Sequence, residues 1–118
     1  NPGYQSLMKD LKQSTKQRFG GMDFSYPETD IEVEIVAHEG GVDTEIAGKL
    51  VNIAQRSRNL KGHGLDEGMS TRLLVYAAQL VGKGIDPLSA CRMALVTPLT
   101  DDPDMRDTLN AAVQTFFG

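Results

Sequence analysis

The stretch GMSTRLL places Arg72 in the first turn of a helix, two residues after Ser70, a natural cap. A cation at that end opposes the helix dipole, at a cost of about 0.3–1 kcal/mol when exposed. An anion such as phosphate would remove the conflict, because it takes the free N–H groups of the first turn together with the guanidinium. Taken alone, the residue favours the plain reading of a solvated surface arginine. Arg18 carries a weaker signal of the same kind. It follows a polar helix and precedes Phe19, so the aromatic could anchor the segment while the guanidinium projects outward across an interface. Surface solvation is again the better guess from this residue by itself.

Other chemistries find little support. His38 and His63 lie 25 residues apart with no Cys or acid at ligand spacing, so no metal site is expected. Cys91 is the only cysteine and sits among apolar residues in SACRMALV. A buried, inert thiol is therefore favoured over a nucleophile, and a reducing compartment, the cytoplasm, is expected. No Ser and His arrangement stands out for acyl transfer, and no G-x-x-x-x-G-K-[ST] loop is present. Gly62 and Gly64 around His63 could suggest a phosphate cradle, but a turn is the simpler reading.

The charge is arranged in blocks along the 118 residues, beneath a net value of −4. Residues 1–22 are basic, 23–45 hold eight acids and no Lys or Arg, 46–100 return to a basic excess, and the end is acidic. An acidic total argues against binding nucleic acid in bulk. The run from Glu28 to Glu39 reads as the wet face of an amphipathic helix, with a docking surface for a basic partner as the sharper alternative. No apolar run reaches bilayer length, so no membrane insertion is expected.

The elements that must position these residues are mainly helical. A short helix covers LMKDLKQSTKQ and stops before Gly20-Gly21. MDFSYP alternates as a strand does, with Met22, Phe24 and Tyr26 on one face, and Pro27 ends it. ETDIEVEIVAHE places Ile31 and Ile35 on an apolar face beside Val36, with acids in the early turns, and Gly40-Gly41 closes the helix. DTEIAGKLVNIAQRSRNL follows with Asp43 as cap, Ile46, Leu50 and Ile53 on one stripe, and Arg56 and Arg58 in the last turn where cations are favoured. STRLLVYAAQLVGKG is apolar around much of its circumference and is expected at the centre of the core. DPLSACRMALV and DPDMRDTLNAAVQTFF both begin with an Asp cap followed by Pro at the first helical position.

Taken together, NPGYQ, STKQRF, LKGHGL and GMSTRLLVYA resemble the C-terminal part of the MoxR branch of AAA+ ATPases, in particular the CbbQ/NorQ family. The resemblance runs through the whole chain in order. It implies that the sequence is the sensor 1 to C-terminus piece of a longer protein, which agrees with an opening, Asn1-Pro2-Gly3, that reads as a loop without an initiator methionine. By this resemblance, residues 1–27 are a remnant of the α/β ATPase domain, with a short helix and its last strand. Residues 28–118 would be a helical lid of about four to five helices. Asn1 matches the sensor 1 asparagine that helps place the attacking water, and Arg18 matches the arginine finger that reaches a neighbouring subunit's ATP. Arg72 matches the sensor 2 arginine, which contacts the nucleotide of its own subunit. The sequence departs from the commoner pattern at Arg18, where many relatives carry an Asp before the arginine, and at Thr71, where a proline is frequent.

The resemblance further implies ATP and Mg2+ as cofactors of the full-length protein, and a ring, expected to be a hexamer. It also implies a partner containing a von Willebrand factor A domain, and a client enzyme complex of the rubisco or nitric oxide reductase kind. Lacking the Walker A and Walker B motifs, the segment is expected to be inactive alone. The rival from another class is a stand-alone helical interaction module docking through its acidic helix.

Overall fold

The computed structural model describes residues 26–118. The expected short helix, nearly all of the expected strand, and Asn1 and Arg18 lie outside them; Tyr26 and Pro27 have irregular backbone.

The described residues form a mainly α domain. Helix α1 spans Thr29–Gly40, with Asp30 and Glu32 in its first turn, and ends where Gly41 takes the left-handed conformation at φ 73° and donates its N–H to the Ala37 carbonyl. Helix α2 spans Thr44–Asn59, and its Asp43 cap accepts the Ile46 N–H at 2.9 Å. The LKGHGL segment turns through Gly62 and Gly64, both at positive φ, with Gly62 donating to the Leu65 carbonyl at 2.8 Å. Helix α3 spans Thr71–Gly82, and its Ser70 cap accepts the Leu73 N–H. Helix α4, Pro87–Cys91, starts at Asp86 and runs on into a π-helical turn over Arg92–Val96. Helix α5, Pro103–Phe117, starts at Asp102. All four expected caps thus bond the backbone N–H groups that would otherwise lack partners.

Helix α3 is the hub of the packing, in contact with α1, α2, α4 and the π-helical turn, while α5 covers α2 and the turn. Leu50, Ile53, Leu74, Leu95 and Leu109 are all fully or almost fully buried in one continuous core. Each contributes about 1.5–3 kcal/mol by leaving water. Helices α1 and α3 lie side by side and run in the same direction: Glu32 meets Thr71 at one end, and the Glu39 carbonyl accepts from Gln79 at the other. Their far ends touch closely, since a Cβ added at Gly40 would overlap the Cβ of Ala78. Phe116 and Phe117 lie under Arg56 and Lys49 of α2, with the cations 5.1 and 5.4 Å from the ring centres.

Two expectations for α1 are corrected. Ile31 is 47% exposed, whereas Glu32 is fully buried together with Ile35, Val36 and Gly40. The inward stripe follows Glu32, Val36 and Gly40 at four-residue spacing, which turns Ile31 away from α3 and takes Glu32 off the wet acidic face.

Candidate functional site

The backbone leading into α3 is held by side chains from two other helices. Ser57, near the end of α2, donates its hydroxyl to the Ala54 carbonyl and accepts the Met69 N–H at 2.9 Å. One residue on, Arg58 donates from Nε to the Met69 carbonyl at 3.0 Å. Both polar groups of the Met69 backbone are therefore satisfied by adjacent residues of α2.

The rest of the Arg58 fork reaches α1. Its two terminal nitrogens donate to the two carboxylate oxygens of Glu32 at 2.8 and 2.6 Å, a bidentate geometry. The Thr71 hydroxyl, at the first position of α3, donates to Oε2 of Glu32 at 2.8 Å. The Glu32 side chain is 1% exposed and that of Arg58 9%, so both charges are withdrawn from water. The face of the guanidinium is covered by Tyr26, whose ring centre lies 3.6 Å from Cζ. Gly68 makes room for this arrangement: a Cβ there would fall 2.6 Å from Cγ and 2.8 Å from Cα of Arg58.

Arg72 stands next to Thr71 and is exposed. Among the described residues its guanidinium has no hydrogen-bond or ion-pair partner. Tyr76, one turn further along α3 and 48% exposed, continues the same outer face. Among the described residues the arrangement is an unpaired cation at the first turn of a helix, carried on a start that is fixed from behind. It can accept an anion without losing a bond of its own. Of the three residues proposed from sequence, Arg72 falls among those described, and Asn1 and Arg18 lie outside them.

Sequence reasoning missed Glu32, Arg58 and Tyr26. Arg58 already had a sufficient explanation at the end of a helix, and Glu32 sat in an acidic run. Two signals pointed at the cluster: Thr71, a hydroxyl directly before Arg72, and Gly68 just before the buried Met69.

Among the described residues no three His, Cys, Asp or Glu side chains group in a way that could hold a metal ion. Cys91 is buried, and burial pushes its thiol up to about 12. No described helix is long and apolar enough to cross a membrane.

A mainly helical domain with an internal ion pair behind an exposed helix-start arginine is the class that the described residues define. The chain belongs to the CbbQ/NirQ/NorQ C-terminal family, whose sequence profile matches residues 32–116. It is 69% identical over 117 residues to Protein CbbQ of Hydrogenophilus thermoluteolus, a match covering 99% of this chain and 44% of that protein. It is 48% identical over 118 residues to Protein NorQ of Paracoccus denitrificans, covering 100% of this chain and 44% of the relative. To the denitrification regulatory protein NirQ of Pseudomonas aeruginosa it is 50% identical over 103 residues, 87% of this chain and 40% of the relative. The chain thus spans less than half the length of these curated relatives.

Proposed function

We propose that the chain is the sensor and lid portion of a cytoplasmic AAA+ ATPase, working as a hexameric ring that uses ATP to remodel or activate a client enzyme complex. In this reading residues 1–27 belong to the α/β ATPase domain and 28–118 form the lid. The observation that carries it is Arg72, a cation without a partner among the described residues at the helix end where an anion is favoured, on a chain of the CbbQ/NirQ/NorQ family.

The residues divide the work. Arg72, from the lid, binds the phosphates of the nucleotide in its own subunit, and its charge is available because no described acid neutralises it. Arg18 reaches the nucleotide of the neighbouring subunit and stabilises negative charge as the terminal phosphoryl group departs. Asn1 orients the attacking water. ATP supplies the energy, and the rest of the full-length protein would hold Mg2+. A partner with a von Willebrand factor A domain and a client of the rubisco or nitric oxide reductase kind complete the proposal.

The test is Arg72→Ala in the full-length protein. Weakened binding of ATP or a reduced nucleotide response supports the reading, whereas unchanged affinity with unchanged turnover leaves Arg72 a surface residue. For Arg18→Ala, turnover is expected to vanish while nucleotide binding persists, with partial rescue when mixed with subunits carrying a Walker B mutation. No rescue counts against action between subunits.

A further inference from the structure

We infer that Glu32 is a positioning residue for Arg72, acting through Thr71 and Arg58, and that Tyr26 ties this cluster to the chain entering the domain. The inference rests on the proposed nucleotide-facing role of Arg72 and deepens it.

The segment Met69–Thr71 needs little of this machinery merely to start a helix. Ser70 already caps α3 by accepting the Leu73 N–H. Yet the segment is held at three further points: the Met69 N–H by Ser57, the Met69 carbonyl by Arg58, and the Thr71 hydroxyl by Glu32. A buried carboxylate and guanidinium are a poor choice for stability alone, since well-packed apolar residues of similar volume commonly do as well or better. What the pair adds is direction. A planar fork bound at both oxygens and at Nε allows one orientation of Glu32, and Glu32 in turn fixes the side chain immediately before Arg72.

Gly68 makes the seat of Arg58 specific, because any side chain there would collide with the arginine stem. Tyr26 lies on the open face of the same guanidinium, ahead of α1 in the chain. A shift of that entering segment against the domain therefore acts on Arg58, and through Glu32 and Thr71 on the start of α3. Beside the Ser70 cap and the core packing of α3, this cluster is what fixes the backbone just before Arg72 among the described residues.

The experiment uses the full-length protein, with KM for ATP, kcat, and affinity for a non-hydrolysable ATP analogue as readouts. Thr71→Val keeps the shape and removes the bond to Glu32; Glu32→Gln and Tyr26→Leu perturb the cluster from its other sides. We expect Thr71→Val to raise KM and weaken analogue binding by about 2- to 30-fold, with a smaller effect on kcat. In an Arg72→Ala background the same substitution should add nothing to either nucleotide readout, although any loss in Tm should remain. An unchanged KM in Thr71→Val and Glu32→Gln, while Arg72→Ala alone raises it, overturns the positioning role and leaves the nucleotide-facing role standing. Effects that add in full to those of Arg72→Ala also overturn it, because they would act elsewhere than through Arg72. If Arg72→Ala changes neither readout, the nucleotide-facing role fails, and the positioning role fails with it.

Discussion

Glu32 and Arg58 are 26 residues apart in the chain and meet as a bidentate pair in the interior, at 2.8 and 2.6 Å. Removing one partner strands the other charge away from water. Glu32→Ala is expected to lower stability by about 3–5 kcal/mol, measured by denaturant unfolding. In the Glu32→Leu, Arg58→Met double variant the loss should be clearly smaller than the sum of the two single losses. Additive losses would show that the two charges are not coupled.

Two glycines should respond to alanine with opposite signs. At Gly68 a Cβ meets the backbone and stem of Arg58, so Gly68→Ala is expected to cost about 1–3 kcal/mol as overpacking. Gly48 lies inside α2, and a Cβ there meets nothing within 4 Å. Gly48→Ala should therefore stabilise by about 0.5–1 kcal/mol, through helix propensity and a less flexible unfolded chain. Thermal melts of the two variants check both signs.

Asp86 makes a prediction in acid. Its carboxylate accepts the Ser89 N–H at 3.0 Å, and that bond chiefly holds its pKa below the ordinary 3.8. A group whose pKa is lower folded than unfolded contributes stability above the unfolded value. The contribution is lost as pH falls from about that value through the folded one. Asp86→Asn should therefore flatten the decline in stability below about pH 4. An unchanged slope of Tm against pH in that window would contradict the cap's role in acid.

Cys91 is expected to resist a water-soluble thiol reagent in the native state. Its side chain is buried and its pKa is pushed up to about 12, so almost no thiolate is present near neutral pH. Because the folded pKa is raised, the stabilising contribution is complete below the ordinary thiol range and fades as pH rises above it. Reaction should become fast only in denaturant; fast native labelling would mean that this part of the core opens readily.

Four helix starts and the end of α1 were legible in the sequence because they are written in local chemistry, whereas α1 itself begins at Glu28 without a side-chain cap. Asp43, Ser70, Asp86 and Asp102 accept backbone N–H groups three residues ahead, and Gly41 takes a conformation that other residues rarely adopt. The central position of α3 followed from its apolar circumference. The site was only half legible. Arg72 stood out because it conflicts with its own helix, a local contradiction visible in a few residues. Glu32 and Arg58 each fitted a local rule, so nothing nearby announced that they pair. Their burial depends on which face of α1 meets α3, and Gly40 and Ala78 decide that by close approach. The same choice left Ile31 outside. The π-helical turn after Cys91 has no local signature in SACRMALV, where one helix continuing was the natural reading.

Helix α3 is pinned to α1 at two separated points, by Thr71 on Glu32 at the front and by Ala78 against Gly40 at the back. Two pins remove both sliding and swivelling, so the pair travels as a single lever. What displaces the front of one helix must displace the front of the other, and the back ends with it. Arg72 follows directly on the front pin. Its backbone therefore cannot shift without α1 shifting too.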